Sequence, residues 1–216
     1  TVVGDKWDWY VNRFNRQVAE GNDLEGEARF LDMMADRGST ILDGGCGTGR
    51  VAAALHRMGH RVVGLDRDAG LIEIARRRYP GPPFLVGDLL AAPQALAAAG
   101  QPTGFDLVAL PGNVMVYLAP GTERDVLAVL GGLLRPGGRL VTGFATDRDY
   151  TVTALATDAE AVGLAVEARG RVERGETRPH MPWWYAGLAG CLLLMVPLST
   201  ARAGMPIALS VAGSLK

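Results

Sequence analysis

The sequence has little of what disulfide-stapled, metal-bound or nucleic-acid-binding proteins carry in quantity. Cysteine occurs twice in 216 residues, at the distant positions Cys46 and Cys191. A small secreted domain without a core needs several bridges, so a disulfide framework is excluded. Histidine occurs three times, at His56, His60 and His180, with no cysteine or carboxylate at ligand spacing. No metal site is expected from donors so scattered. Net charge is nearly absent, with 22 Lys+Arg against 23 Asp+Glu. Nucleic-acid-binding domains usually show a basic excess, so neither DNA nor RNA is an expected partner. With 48% hydrophobic and 21% charged residues, the chain is not a disordered one. The opening TVVGDKWDWYVNRF is too polar for a secretory signal, and the expected address is a reducing cytoplasm.

Glycine, by contrast, is abundant at 29 residues, and it punctuates a regular pattern. From residue 6 to 35, apolar side chains recur at helical spacing: Trp9, Phe14, Val18, then Leu24, Ala28, Leu31 and Met34. Two helices are predicted, the second capped by Asn22 or Asp23. Beyond Gly38, strand-like stretches at 40–43, 61–66, 83–86, 105–110 and 139–144 alternate with helical patterns at 51–58, 69–79, 90–99 and 122–134. This alternation predicts an α/β fold, a doubly wound parallel sheet with helices on both faces. Burial on both faces accounts for strand runs such as VVGL and LVAL, which do not alternate. A helix over 151–162 and a sixth strand over 164–168 follow. No repeat or linker divides the chain, so one domain is expected over 1–216.

The segment ILDGGCGTGR, residues 41–50, places four glycines in the six positions 44–49, between a strand and a helix. Without side chains, backbone N–H groups can approach a ligand, and the helix N-terminus favours negative charge there. A plain turn needs fewer glycines. The dinucleotide fingerprint G-x-G-x-x-G is met at Gly45 and Gly47 but ends on Arg50 instead of glycine. No Gly-Lys-Ser/Thr follows, which excludes a phosphate P-loop.

LDGGCGTGR resembles motif I of the class I S-adenosylmethionine-dependent methyltransferases. The similarity continues in order through VVGLDRD, LVGDLL, FDLVALPGN and LLRPGGRL, covering the chain from about Trp7 to Ala168. The resemblance implies a Rossmann-like, mostly parallel seven-stranded sheet whose seventh strand is antiparallel. It also implies S-adenosyl-L-methionine as cofactor and transfer of its sulfonium methyl to a small-molecule acceptor. The cofactor-binding residues it implies are Asp43, Gly45, Cys46, Gly47 and Gly49 in the loop, then Asp66, Arg67, Asp88, Leu89 and Asn113 at the ends of the next strands. Asp66 is the implied acceptor for the ribose hydroxyls, Asp88 stands at the adenine edge, and Asp43 suits the ammonium. Chemistry agrees for Asp66, because vicinal hydroxyls are donors and an ionised carboxylate accepts both. Asp66 and Asp88 also suit helix capping, and Asn113 suits a plain turn. Cys46 reads as a small loop residue, since nothing nearby activates a thiolate.

Residues 1–38, with Trp7, Trp9, Tyr10, Arg13 and Phe14, resemble the family's lid over the cofactor, though such aromatics also serve simple packing. The cofactor-binding core is expected over 39–170. The stretch PGNVMVY after the fourth strand lacks the Asn/Asp-Pro-Pro-Tyr/Phe pattern of enzymes that methylate nucleic-acid amino groups. No catalytic base is named by the sequence. Two other classes stay open: a non-catalytic S-adenosylmethionine-binding module, and a nicotinamide-dependent oxidoreductase, which Arg50 disfavours. The segment 171–216 is atypical. Residues 181–201 carry no charge, with Trp183, Trp184 and Tyr185 at one end and Arg202 past the other. A membrane span takes about 20 apolar residues, but prolines, glycines and hydroxyls leave only 188–196 truly apolar. No span is expected, and PIALSV at 206–211 is the expected seventh strand.

Overall fold

The computed structural model describes residues 8–145, 148–172 and 190–197. Two helices come first, α1 (Asp8–Ala19) and α2 (Gly26–Met34), where the apolar spacing predicts them. Neither Asn22 nor Asp23 is the cap of α2. That position is Glu25, and Asp23 instead accepts the Glu25 N–H at 2.9 Å just before the helix. The chain then alternates β1 (Thr40–Gly44), α3 (Arg50–Arg57), β2 (Arg61–Asp66), α4 (Ala69–Arg78) and β3 (Phe84–Val86). A 3-10 turn at Leu89–Ala91 leads into α5 (Ala92–Ala98), so the helix predicted over 90–99 is split at its start. Next come β4 (Phe105–Leu110), a second 3-10 turn at Val114–Tyr117, α6 (Glu123–Gly131), β5 (Leu134–Ala145), α7 (Val152–Ala161), β6 (Leu164–Val172) and β7 (Gly190–Pro197).

The strands form one sheet in the order β3-β2-β1-β4-β5-β7-β6. Pairs among β1 to β5 are all parallel, while β7 runs antiparallel to both β5 and β6. Adjacent residues of the central strands enter opposite cores. Ile41, Val62, Leu107 and Val141 pack into one apolar cluster, and Leu42, Val63, Val108 and Leu140 into the other. That two-faced burial is why these strands read as continuous apolar runs.

Two further findings differ from the sequence-based expectation. The seventh strand lies at Gly190–Pro197, inside the uncharged run, and is inserted between β5 and β6. The stretch 206–211, where it was expected, lies outside the described residues, as do His180, Trp183, Trp184 and Tyr185. A strand paired along both edges suits unbroken apolar sequence, which accounts for 190–196 without a membrane. Among the described residues no helix is long and apolar enough to cross one. The second difference is β5, expected over 139–144, which begins at Leu134 and takes in the RPGG stretch. Phe105 pairs with Leu134 and Leu107 with Arg139, so β5 bulges between these two pairs.

The amino edge of the sheet is braced by polar pairs remote from the glycine loop. Asp106 accepts the Thr40 N–H at 2.7 Å and two bonds from Arg135 at 3.0 Å. His60, fully buried, lies with Nε2 2.9 Å from Asp32 Oδ1 and ties the end of α2 to the start of β2. The carboxyl edge is thereby left to loops, and the strand order reverses there between β1 and β4. In open α/β sheets that crevice is where ligands bind.

Candidate cofactor site

The loop leaving β1 turns through Gly45, Gly47 and Gly49, each with positive φ. It is strapped to the end of β2 rather than left to float. Gly45 and Cys46 donate their N–H groups to the Leu65 carbonyl at 2.7 and 3.1 Å, and Gly47 donates to Asp66 Oδ2 at 2.8 Å. Gly49 is the cap of α3 at φ +80°, where a Cβ would stand 2.6 Å from the Phe84 ring. Only glycine fits that approach. Side chains from two strands and the turns after them therefore close in beneath the loop: Phe84 under Gly49, Leu110 and Leu89 under Gly44, and Val114 against Gly45.

Asp43, at the end of β1, is 1% exposed. Its Oδ2 accepts the Ala52 N–H at 3.0 Å, while Oδ1 is buried with no hydrogen-bond partner. A buried acceptor in that state is costly unless something donates to it. Burial pushes the Asp43 carboxyl up to about 7, opposed by the Ala52 N–H and by the charge of Arg50. Glu27 and Asp66 add to the rise, because three carboxylates share this corner with one guanidinium. The corner accordingly suits a cationic donor.

The remaining positions take distinct places. Asp66 lies at the end of β2 and is half-buried, with Oδ1 accepting the Asp68 N–H at 2.9 Å. Both of its oxygens thus hold backbone, and each keeps a further lone pair for a ligand. Asp68, not Asp66, caps α4. Arg67 is exposed. Asp88, also exposed, accepts the Leu90 N–H at 2.9 Å as cap of the short turn, and Leu89 is buried beneath the loop. Asn113 has φ +77° and bridges β4 to β5: it donates its N–H to the Gly143 carbonyl, and its Oδ1 accepts the Ala145 N–H at 2.7 Å. Cys46 is a free thiol that burial pushes well above its usual range, which removes it as a nucleophile. Among the described residues no group of three or more His, Cys, Asp or Glu is placed to hold a metal ion.

Two residues in this region carried no signal in the sequence. Arg50, noted only for not being glycine, pairs with Glu27 of α2, and both are largely buried. Glu27 sits 23 positions away, beyond any local periodicity. Tyr117, the last residue of the PGNVMVY stretch that the sequence did single out, is 66% exposed in the turn after β4. Of the aromatic group in the N-terminal helices, Phe14 is buried, while Trp7 lies outside the described residues.

A strand-end carboxylate, a glycine turn and a helix start at the reversal of a parallel sheet define a doubly wound nucleotide-cofactor protein. Residues 41–138 match the family model described as a methyltransferase domain. The chain is 34% identical over 148 residues to an uncharacterized methyltransferase of Mycobacterium tuberculosis, covering 67% of this chain and 71% of that protein. It is 36% identical over 131 residues to magnesium-protoporphyrin O-methyltransferase of Rhodobacter capsulatus, covering 57% of this chain and about half, 54%, of that enzyme. A TehB-like SAM-dependent methyltransferase of Corynebacterium glutamicum superposes with a TM-score of 0.73 at 34% identity, covering 87% of this chain and 96% of that one. The chain belongs to the S-adenosylmethionine-dependent methyltransferase family.

Proposed function

We propose that this protein transfers the methyl group of S-adenosylmethionine to a small-molecule acceptor. The observation that carries the reading is Asp43, whose buried Oδ1 lacks a donor beside a loop already tied to Asp66. A cofactor bearing an ammonium and ribose hydroxyls supplies donors of the kind this corner lacks. Asp43 would hold the ammonium, and the turn through Gly45, Cys46, Gly47 and Gly49 would let the amino-acid end of the cofactor lie close against the backbone. Asp66 would hold the ribose, flanked by Arg67. Asp88 and Leu89 would border the adenine, and Asn113 would brace the acceptor side. The cofactor supplies an electrophilic sulfonium methyl, so the chain needs mainly to align an acceptor against it. Tyr150, just past β5, is not offered as a base: burial raises its phenol, and its hydroxyl donates to Asp158.

A small acceptor is supported by the near-neutral charge and by PGNVMVY in place of a nucleic-acid motif. The Rhodobacter relative is named for a small-molecule acceptor, magnesium protoporphyrin. Residues 1–38 would serve as a lid over a core at 39–170, with 171–216 completing a single domain through β7.

Calorimetry with S-adenosylmethionine, S-adenosylhomocysteine and NAD tests the cofactor. Tight NAD binding without response to either adenosyl ligand would sink the reading. Asp66→Ala is expected to weaken S-adenosylhomocysteine binding by roughly 10- to 100-fold, since hydrogen bonds to a charged group contribute about 1.5–3 kcal/mol. Circular dichroism should show the fold retained, and an unchanged affinity would remove Asp66 from the site. A screen of small acceptors with methyl-labelled cofactor then separates an enzyme from a non-catalytic binding module.

A further inference from the structure

Arg50 stands where a dinucleotide loop carries its last glycine, and its side chain turns back toward the N-terminal helices. Its guanidinium donates to the Leu24 carbonyl and to Glu27 Oε2, and lies 5.6 Å from the centroid of the Phe14 ring. One cation therefore contacts α1, the connection after it, and α2. The Arg50 side chain is 18% exposed and that of Glu27 2%. A Cβ on Gly112 would lie 3.8 Å from Glu27 Oε1, so the carboxylate rests between the start of α3 and the loop after β4. That places the pair across the β1–β4 reversal, above the crevice.

Net stability is a poor reason for such a pair. A buried ion pair gives back most of its attraction in desolvation, and its attested use is to fix geometry. Leu24, Ala28 and Leu31 are already buried and anchor α2 by apolar contact. Such contact tolerates sliding, whereas a guanidinium shared by a carbonyl and a carboxylate does not.

We propose that Arg50 latches α1 and the chain leading into the start of α2 down at the cofactor crevice, so that opening of the Arg50–Glu27 contact limits ligand exit. The latch rests on the reading of the crevice as an S-adenosylmethionine site. Arg50 is a positioning residue here. It acts through the helices and takes no part in methyl transfer.

The test uses the full chain, the variants Arg50→Met, Arg50→Lys and Glu27→Gln, and two readouts: S-adenosylhomocysteine dissociation by stopped flow, and hydrogen exchange. In Arg50→Met, dissociation should accelerate roughly tenfold, with association changed by no more than about twofold. Exchange should rise in residues 8–34 while β1, β2 and β4 keep their protection. Arg50→Lys should fall between, and the Arg50→Met/Glu27→Gln double variant should be no faster than the faster single one, since the two share one contact. An unchanged dissociation rate overturns the latch. So does acceleration with equal loss of protection in the strands, which marks general destabilisation. If Arg50→Met does not fold, Arg50→Lys and Glu27→Gln decide by the same readouts. Failure of the wild-type protein to bind either adenosyl ligand counts against the cofactor reading alone, because exchange in 8–34 still reports whether Arg50 holds the helices.

Discussion

Asp43→Asn is expected to remove a loss of stability that the wild-type protein suffers between about pH 4 and pH 7. The Asp43 carboxyl ordinarily titrates at 3.8, but burial first of all raises it to about 7 in the folded protein. Below pH 4 the group carries its proton in both states, and its contribution is fully present. As pH rises, the unfolded chain ionises while the folded one keeps its proton, so stability falls until the folded group ionises near pH 7. Each unit of difference corresponds to ~1.36 kcal/mol, which sets the whole loss at about 4 kcal/mol. Asparagine keeps the acceptor for the Ala52 N–H but cannot ionise. Its amide group takes the place of the orphaned oxygen and adds about 1–3 kcal/mol of desolvation at every pH. The variant should therefore be the less stable protein at pH 4.5 and close the gap, or reverse it, at pH 8. Urea unfolding of both proteins at the two pH values measures this. The difference between them should move by about 3 kcal/mol, and identical pH dependence would contradict the burial argument. If Asp43 holds the cofactor as proposed, the same substitution should weaken S-adenosylmethionine binding at pH 8, because the ammonium would lose its carboxylate.

Gly49→Ala is the second large effect, and it acts on fold and site together. At φ +80° an alanine sits in the left-handed region, at a cost of roughly 1–2 kcal/mol. Its Cβ would stand 2.6 Å from Phe84 ring atoms and 2.9 Å from the Ala75 methyl. Phe84 is buried on β3 and Ala75 is buried within α4, so neither can swing aside. Overpacking of this kind typically adds about 1–3 kcal/mol. A total of about 2–5 kcal/mol is expected in the unfolding free energy, together with weaker S-adenosylhomocysteine binding, since the loop must lift away from β3. Gly121→Ala supplies the comparison. Its φ of +86° is similar, but nothing lies within 4 Å of its Cβ, so only the conformational part remains. Equal losses in the two variants would show that Phe84 and Ala75 accommodate the methyl.

Much of this architecture is legible residue by residue. The limits of β2 and β4 match their sequence patterns because each is built on an apolar run, VVGL or LVAL, that is buried on both faces and flanked by polar and turn-forming residues. The glycine loop is legible because its backbone conformation tolerates few other residues. The tail is a different matter. An uncharged run at 188–196 has the composition of a buried strand, a buried helix or part of a span, and periodicity does not separate them. Pairing with β5 on one side and β6 on the other made it a strand, and both pairings are contacts that the run's own residues do not announce. The role of Asn113 was similarly out of reach. Its left-handed backbone and its bond to Ala145 depend on where β5 ends, 32 positions along the chain.

By itself, the sequence determined the α/β class, the succession of strands and helices through residue 168, the loop at 41–50 and the carboxylates at or just past the ends of β1, β2 and β3. These are local properties, set by burial pattern, turn chemistry and residue spacing. The tertiary structure alone decided that β7 enters between β5 and β6, that Asp66 holds the loop it was expected to face, and that Asp43 is buried with an oxygen left over. It also decided that Arg50 reaches Glu27. Each of these is a contact between segments distant in the chain, and such contacts exist only once the sheet has brought their ends to one edge.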